Sequence, residues 1–326
     1  MAEKIANKRV TCFIIEWIIC FYKGCRAKAV PVFKEILVKN YFNISKFKKR
    51  NTKTMIFKKT LSLLAFAVFF LACTTNPFTG KKTLALVPNS QILPMSYQQY
   101  NQFLSENKVV TGTADARMIQ NVGQKIAAAA ERYLNANGYA GYLNDYRWEY
   151  SLIEDETKNA WAMPGGKIAF YTGIMPIAKN EAGVAAIMGH EVAHALANHG
   201  QQRMSAAQLQ QLGAVAGNIA LGSDPENQQI FNQAYGITSQ VGVMLPFSRS
   251  NETEADRIGL TLMAIAGYDP LAAASLWERM QQSGGGAPPE FLSTHPSGAT
   301  RIRNIRQWAP EAKAEARKFG VTNFKG

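Results

Sequence analysis

Past Cys73 the chain contains no cysteine, so residues 74–326 can form neither a disulfide nor a thiolate metal site. The earlier Cys12, Cys20 and Cys25 lack paired C-x-x-C spacing and read as incidental. Long apolar runs are missing too. Neither Leu61–Ala72 nor the Gln- and Ala-rich stretches after Gly200 reach the ~20 apolar residues that a spanning helix needs. Excess charge is absent from most of the chain. The formal net charge of +13 comes from residues 1–59, which hold 15 Lys and Arg against 3 Asp and Glu, whereas the remainder holds 21 against 20. A near-neutral remainder has no basic footprint for nucleic acid, which is excluded as a partner. What is present is 47% hydrophobic and 18% charged residues over 326 positions, ample for one large globular domain, with no internal repeat evident.

The strongest signal lies in mid-chain, in Ala186–Asn198 (AIMGHEVAHALAN). On a helix His190 and His194 fall about 40° apart, so both imidazoles can approach one Zn²⁺ from the same side. Glu191 stands about 100° round from His190, able to reach a metal-activated water without being a ligand. Five-residue matches of this kind also occur by chance on helices, so a second ligand-bearing segment is required. Ser248–Asp256 (SRSNETEAD) supplies one. Glu252 and Asp256 are i and i+4 on one helical face. Glu252 is assigned as the third ligand, with Asp256 as either a carboxylate holding a ligand imidazole by its free N–H or a proton donor. By itself this pair would read as a solvated acidic helix start. Glu254 points away on the same count. A longer H-E-x-x-H-x-x-G-x-x-H pattern fails, because Ala197 and Gly200 stand where Gly and His are required. His199 falls about 180° from His190 on an unbroken helix and reads as a helix-end histidine, with Gly200 as the stop.

The N-terminal region reads as a leader. Met55 opens a basic segment, Leu61–Ala72 is a 12-residue apolar run, and Cys73 follows small Ala72. That order resembles a bacterial lipobox, which implies residues 55–72 as a signal peptide and lipidation at Cys73. Residues 1–54 then read as a non-native or disordered basic extension. Thr74 after the cysteine points to the periplasmic face of the bacterial outer membrane. Residues 73–90 read as a tether and 91–326 as the catalytic domain.

Within 91–326, Gln91–Glu106 and Asp115–Asn135 are expected as amphipathic helices, the second through Met118, Val122, Ile126 and Ala129. Tyr146–Ile153 and Lys167–Tyr171 are expected strands. Between them, Asn159–Gly166 (NAWAMPGG) is either an edge strand that pairs with extended substrate, with Pro164, Gly165 and Gly166 letting backbone approach, or a plain hairpin turn. Asn180–Gly200 is the motif helix. Gln201–Leu221 and Glu226–Val243 are two helices, serving as a lid or as structure. Asn251–Gly267 carries Glu252, and Leu271–Gln282 follows it. His295 stands before Pro296 in a loop.

Together the blocks NAWAMPGG, HEVAH, SRSNETEAD and STHPSGATR resemble the zinc metallopeptidase family that includes HtpX, the CAAX prenyl endopeptidases, the Oma-type proteases and the bacterial proteases BepA and LoiP. The soluble, lipoprotein branch is the nearest in pattern. The resemblance covers roughly residues 75–315, with Trp161 where Phe is usual. It implies an α+β, mainly helical, zincin-like (gluzincin) domain with a small antiparallel sheet. It also implies one Zn²⁺ held by His190, His194 and Glu252, with Glu191 catalytic and Asp256 supporting. In BepA-like members the histidine matching His295 reaches the metal as an inhibitory fourth ligand. His295 is thus either such a switch or a donor to the oxyanion. Arg301 anchors that loop or a substrate carboxylate. The implied activity is endopeptidase action on proteins of the cell envelope in quality control, and the alternative is a chaperone-like factor with latent proteolysis.

Overall fold

The computed structural model describes residues 73–222, 224–240, 244–283, 291, 295 and 298–326. The expected extension 1–54 and signal segment 55–72 lie outside these residues. Two compact units are present: residues 209–243 belong to one, and residues 73–208 and 244–326 form the other.

The larger unit opens with a hairpin where a tether is expected. β1 (Cys73–Thr75) pairs antiparallel with β2 (Lys82–Leu84). Its turn is closed by Gly80 N–H to the Asn76 carbonyl at 2.9 Å and by Phe78 N–H to Asn76 Oδ1 at 2.8 Å. Phe78 stacks on Tyr133 at 4.8 Å, which docks the hairpin. Apolar packing therefore orders this segment although its composition is that of a turn.

Helix α1 (Asn89–Glu106) lies on the sheet, where the buried Tyr100 hydroxyl donates to the Ile168 carbonyl at 2.9 Å. Strand β3 (Val109–Val110) precedes α2 (Ala114–Ala136), which Thr113 caps by accepting from Ala116 N–H. Its buried stripe runs through Ile119, Val122, Ile126 and Ala129, with Met118 only partly covered. Strands β4 (Glu149–Ile153), β5 (Ala160–Met163) and β6 (Lys167–Tyr171) complete a sheet of order β3-β4-β6-β5. A small antiparallel sheet is expected, but this sheet is mixed, because β4 and β6 run parallel. The β4–β5 connection carries the chain past the position beside β4, so the β5–β6 hairpin turn returns β6 into it and leaves β5 at the edge. Gly165 and Gly166, both at φ +84°, make that turn, and a Cβ on either would strike Tyr97 or Trp148 at under 3 Å.

A short 3₁₀ turn (Thr172–Ile174) and α3 (Met175–Ala178) lead into α4 (Glu181–Leu196). Asn180 caps α4, and apolar residues surround it on nearly every side, as befits a helix buried all round. It is packed on by α2, α3, α7 (Leu245–Ile265), α8 (Leu271–Gln282) and β5. Helix α9 (Ala299–Lys318) closes the unit against α7 and α8. The motif helix ends at Leu196, earlier than expected. Asn198 takes φ +55°, and α5 (His199–Leu221) begins at once, so Gly200 lies inside a helix rather than stopping one. Helix α7 begins six residues ahead of the expected start at Asn251. This places Glu252 in a buried helix interior and not at a solvated N-terminus.

In the other unit the second half of α5 pairs with α6 (Pro225–Ser239). Gly217 faces the Phe231 ring, and Gln210 Nε2 donates to Ser239 Oγ at 2.6 Å. Among the described residues no helix is long and apolar enough to cross a membrane.

The crossing of α4 and α7 is made by two glycines. A Cβ on Gly259 would lie 2.9 Å from Gly189 C and His190 N, and one on Gly189 would lie 2.8 Å from the Gly259 carbonyl oxygen. Backbone atoms cannot swing aside as a side chain can. Gly259→Ala should therefore cost about 1–3 kcal/mol in chemical denaturation of the metal-free protein. Gly236→Ala in α6, which meets nothing within 4 Å, should stabilise by up to about 1 kcal/mol. Equal stabilities for Gly259→Ala and wild type would refute the close crossing.

Candidate active site

Because α4 and α7 touch at the glycines, polar residues within about two turns of the contact are brought together. His190 and His194 project from α4 with their Nε2 atoms 3.1 Å apart. From α7 Glu252 brings Oε2 to 3.3 Å from His190 Nε2 and Oε1 to 3.3 Å from His194 Nε2. His295, ahead of α9, places Nδ1 3.1 Å from His190 Nε2 and 3.0 Å from Glu252 Oε2. All four side chains are buried. Bonds of about 2.0–2.1 Å to a tetrahedral ion imply donor separations of about 3.3 Å, and these contacts run from 3.0 to 3.3 Å. The chemistry of the set agrees: imidazole lone pairs and a carboxylate face one another with too few protons to satisfy every contact. A single divalent cation answers all of them at once, so the residues fit a metal ion.

Each donor is held from behind. Asp256 Oδ1 lies 2.9 Å from His190 Nδ1 and is clamped by Arg301, whose Nη2 and Nε donate to its two oxygens at 2.7 Å. Arg301 also donates through Nη1 to the His295 carbonyl at 3.2 Å and lies 3.6 Å over the Trp277 ring. It thus anchors the residue that carries the fourth donor. His199 Nδ1 lies 2.9 Å from His194 Nδ1, a contact that the straight-helix angle argues against.

Charges in this buried site are strongly coupled. Burial pushes the Glu191 carboxyl up, against the pull of His295 and His190, and the balance leaves it above the ordinary carboxylate range. Burial also raises Glu252 and Asp256. The histidine hydrogen bonds in the first case, and Arg301 with His190 in the second, outweigh it and hold both below that range. Burial lowers His194 well below the usual imidazole value. In His190, burial and the Arg301 charge are outweighed by Asp256 and Glu252, which lift it to about 9, so a metal ion there must displace a proton.

Glu191 stands beside the donor set without joining it. Its Oε1 is buried without a hydrogen bond and lies 3.4 Å from His295 Nε2. A buried carboxylate oxygen without a hydrogen bond can still accept one from a group that enters next to it. Beside it opens a cleft of about 330 Å³, lined by Ala160–Ala162 of edge strand β5 and by His194, Arg203 and His295. Pro164 lines the same cleft, whereas Gly165 and Gly166 form the turn behind it. A wider groove of about 980 Å³ runs along α7 and α9 but contains none of the four donors.

Sequence reasoning missed the contacts of His199 and Glu254. A histidine just past one motif and an acidic residue within the other are signals that only the bend at Asn198 makes meaningful.

The sequence model of Peptidase family M48 matches residues 114–309. The chain is 41% identical over 175 residues to the mitochondrial metalloendopeptidase OMA1 of Schizosaccharomyces pombe, covering 53% of this chain and 50% of that protein. It is 35% identical over 202 residues to the mitochondrial metalloendopeptidase OMA1 of Saccharomyces cerevisiae, covering 60% and 56%. To the beta-barrel assembly-enhancing protease of Escherichia coli it is 24% identical over 294 residues, covering 85% and 58%. The chain spans about half the length of these relatives. Their order corrects the expected location. Mitochondrial proteins match at higher identity than the bacterial one, which overturns the placement at the bacterial outer membrane, and none of the comparisons supports a lipid anchor at Cys73. The physical reason is that a basic, acid-poor N-terminal stretch is also the composition of organelle-targeting segments, so a short apolar run before a cysteine does not discriminate. With a model match over well over half of its length and both motif helices inside it, this chain belongs to Peptidase family M48.

Proposed function

We propose that the protein is a zinc-dependent endopeptidase acting on extended segments of protein chains, in turnover of misfolded or misassembled proteins, and that the described arrangement is its latent form. One observation carries this reading: four buried protein donors, close enough to share one ion, stand beside the buried carboxylate of Glu191, whose Oε1 makes no hydrogen bond. Zinc, when bound, supplies a Lewis acid for the scissile carbonyl and for water. Glu191 takes the proton of the attacking water at Oε1, its raised affinity for a proton suiting that task, and delivers it to the leaving amine. Edge strand β5 lines the cleft beside Glu191 and offers its outer backbone to an extended peptide, fixing the register of the scissile bond. His295 Nδ1, 3.1 Å from His190 Nε2 and 3.0 Å from Glu252 Oε2, would join the other three donors in holding the ion, which favours the inhibitory role over oxyanion donation. Cleavage would then require its withdrawal. The closed set also keeps open a chaperone-like activity with proteolysis held back.

Asp256 acts as the partner that orients His190 rather than as a proton donor, because both of its oxygens are occupied by Arg301 and His190.

Three variants test the reading by zinc content and casein cleavage. Glu191→Gln should retain about one zinc per chain and lose cleavage by at least about 10³-fold. His295→Ala should retain zinc and cleave faster than wild type. Measurable cleavage by Glu191→Gln would reject its role, and unchanged or slower cleavage by His295→Ala would reject latency. Rescue of client proteins by Glu191→Gln would favour the binding activity.

A further prediction concerns acid. The Asp256 carboxyl is lowered in the folded protein, so its stabilisation is present above the unfolded value near pH ~4 and is lost as pH falls toward the folded one. Asp256→Asn should destabilise the metal-free protein at pH 7 by about 3 kcal/mol and flatten the acid limb of its stability curve. Coincident melting of variant and wild type at pH 7 would exclude the pairing.

A further inference from the structure

His190 and His194 are held from behind by different devices. His190 meets a carboxylate directly, Asp256 at 2.9 Å. His194 meets another imidazole, His199, with the two Nδ1 atoms 2.9 Å apart. His199 is fully buried at the first residue of α5. Its Nε2 makes no hydrogen bond and faces Glu254, whose Oε2 lies 3.7 Å away. Glu254 is gripped in turn by the β1–β2 turn. Asn76 Nδ2 and Thr79 Oγ1, the latter at 2.9 Å, donate to Oε1, and Lys81 Nζ stands 3.7 Å from Oε2.

Donor and acceptor matching allows one assignment of protons along this row. A His194 that gives the Nε2 lone pair to an ion carries its proton on Nδ1 and donates it to His199 Nδ1. Being an acceptor there, His199 must carry its own proton on Nε2, which points at the Glu254 carboxylate. A carboxylate at the far end suits that polarity, and its own position is set by three side chains of the hairpin turn.

We propose that His199 and Glu254 are positioning residues that fix the ring orientation and tautomer of His194, and that residues 76–81 anchor the outer end of this relay. The first hairpin is then part of the metal-holding apparatus, 170 or more residues away in sequence from the carboxylate it grips. The inference rests on the zinc reading above. It predicts that the relay acts on metal retention more than on folding. Partners of this kind behind a ligand change metal affinity by about 10–100-fold.

The test uses the full chain loaded with zinc. The rate of zinc loss to a chelator is compared with the melting temperature of the metal-free protein for wild type, His199→Phe, His199→Gln, Glu254→Gln and Thr79→Val. His199→Phe keeps the ring volume and removes both nitrogens, so zinc loss should quicken by about 10–100-fold. His199→Gln, which can still accept from His194 and donate to Glu254, should recover much of that loss. Glu254→Gln and Thr79→Val should shift the rate in the same direction by less, with metal-free melting little changed. Zinc loss at the wild-type rate in both His199→Phe and Glu254→Gln would overturn the relay. So would faster loss in proportion to lowered metal-free melting, since His199 would then be packing alone. Should His199→Phe fail to fold, Glu254→Gln and Thr79→Val decide the matter by the same criterion. A wild type that binds no zinc refutes the zinc reading itself, an outcome distinct from one in which zinc binds and the variants release it normally.

Discussion

Two helices touching backbone to backbone at Gly189 and Gly259 are the constraint on which the site depends. Side chains one turn along from such a contact have nowhere to go but toward each other. His190 sits next to Gly189, and Asp256 precedes Gly259 by three residues, so the crossing itself delivers an imidazole to a carboxylate. A bulkier crossing would widen the interaxial distance, and the donor spacings near 3 Å would be lost before any donor residue was changed. Small residues here serve geometry rather than flexibility, since neither glycine has positive φ.

The closeness has an electrostatic cost that the structure offsets locally. Glu191, Glu252 and Asp256 are all buried, with one guanidinium, Arg301, reaching two of them. Burial disfavours each charge, and removing a single partner would strand the others in a poorly polarisable interior. Arg301 answers with a two-pronged bond to Asp256, a contact to Glu252 and a face-on contact to Trp277. An aromatic wall of Trp277 and Phe291 beside His190 and His295 keeps the array dry and strengthens every contact within it. One carboxylate oxygen, Oε1 of Glu191, is left without a hydrogen bond beside the cleft.

The sheet matters for where its edge falls. Strand β6 pairs with β4 and the double-glycine turn joins it to β5 on its other side, which leaves β5 at the edge next to α4. Trp161 on that strand packs edge-on to Phe103 and Tyr100 of α1, so the strand lining the cleft is braced from the far side. The edge strand and the Glu191 carboxylate are thereby held by regular elements on both sides of the cleft.

By itself the sequence determined the parts that obey a helical period. His190 and His194, or Glu252 and Asp256, four residues apart, share a face of any α-helix whatever surrounds it, and the apolar rows of α2 and α4 follow the same rule. The N-terminal region was different, because basic and apolar composition is shared by several targeting segments and selects none of them. Angles also fail wherever the helix does not continue. His199 sits opposite His190 only on an unbroken helix, and left-handed Asn198 ends α4 so that the next helix carries His199 back to the His194 ring. Glu254 does point away from Glu252, yet toward His199 and the first hairpin, not into water. Which residues stand behind the ligands, where β5 falls in the sheet and how near His295 comes to the centre were decided by tertiary packing alone. Those contacts join segments up to 178 residues apart, and no local periodicity encodes a distance of that kind.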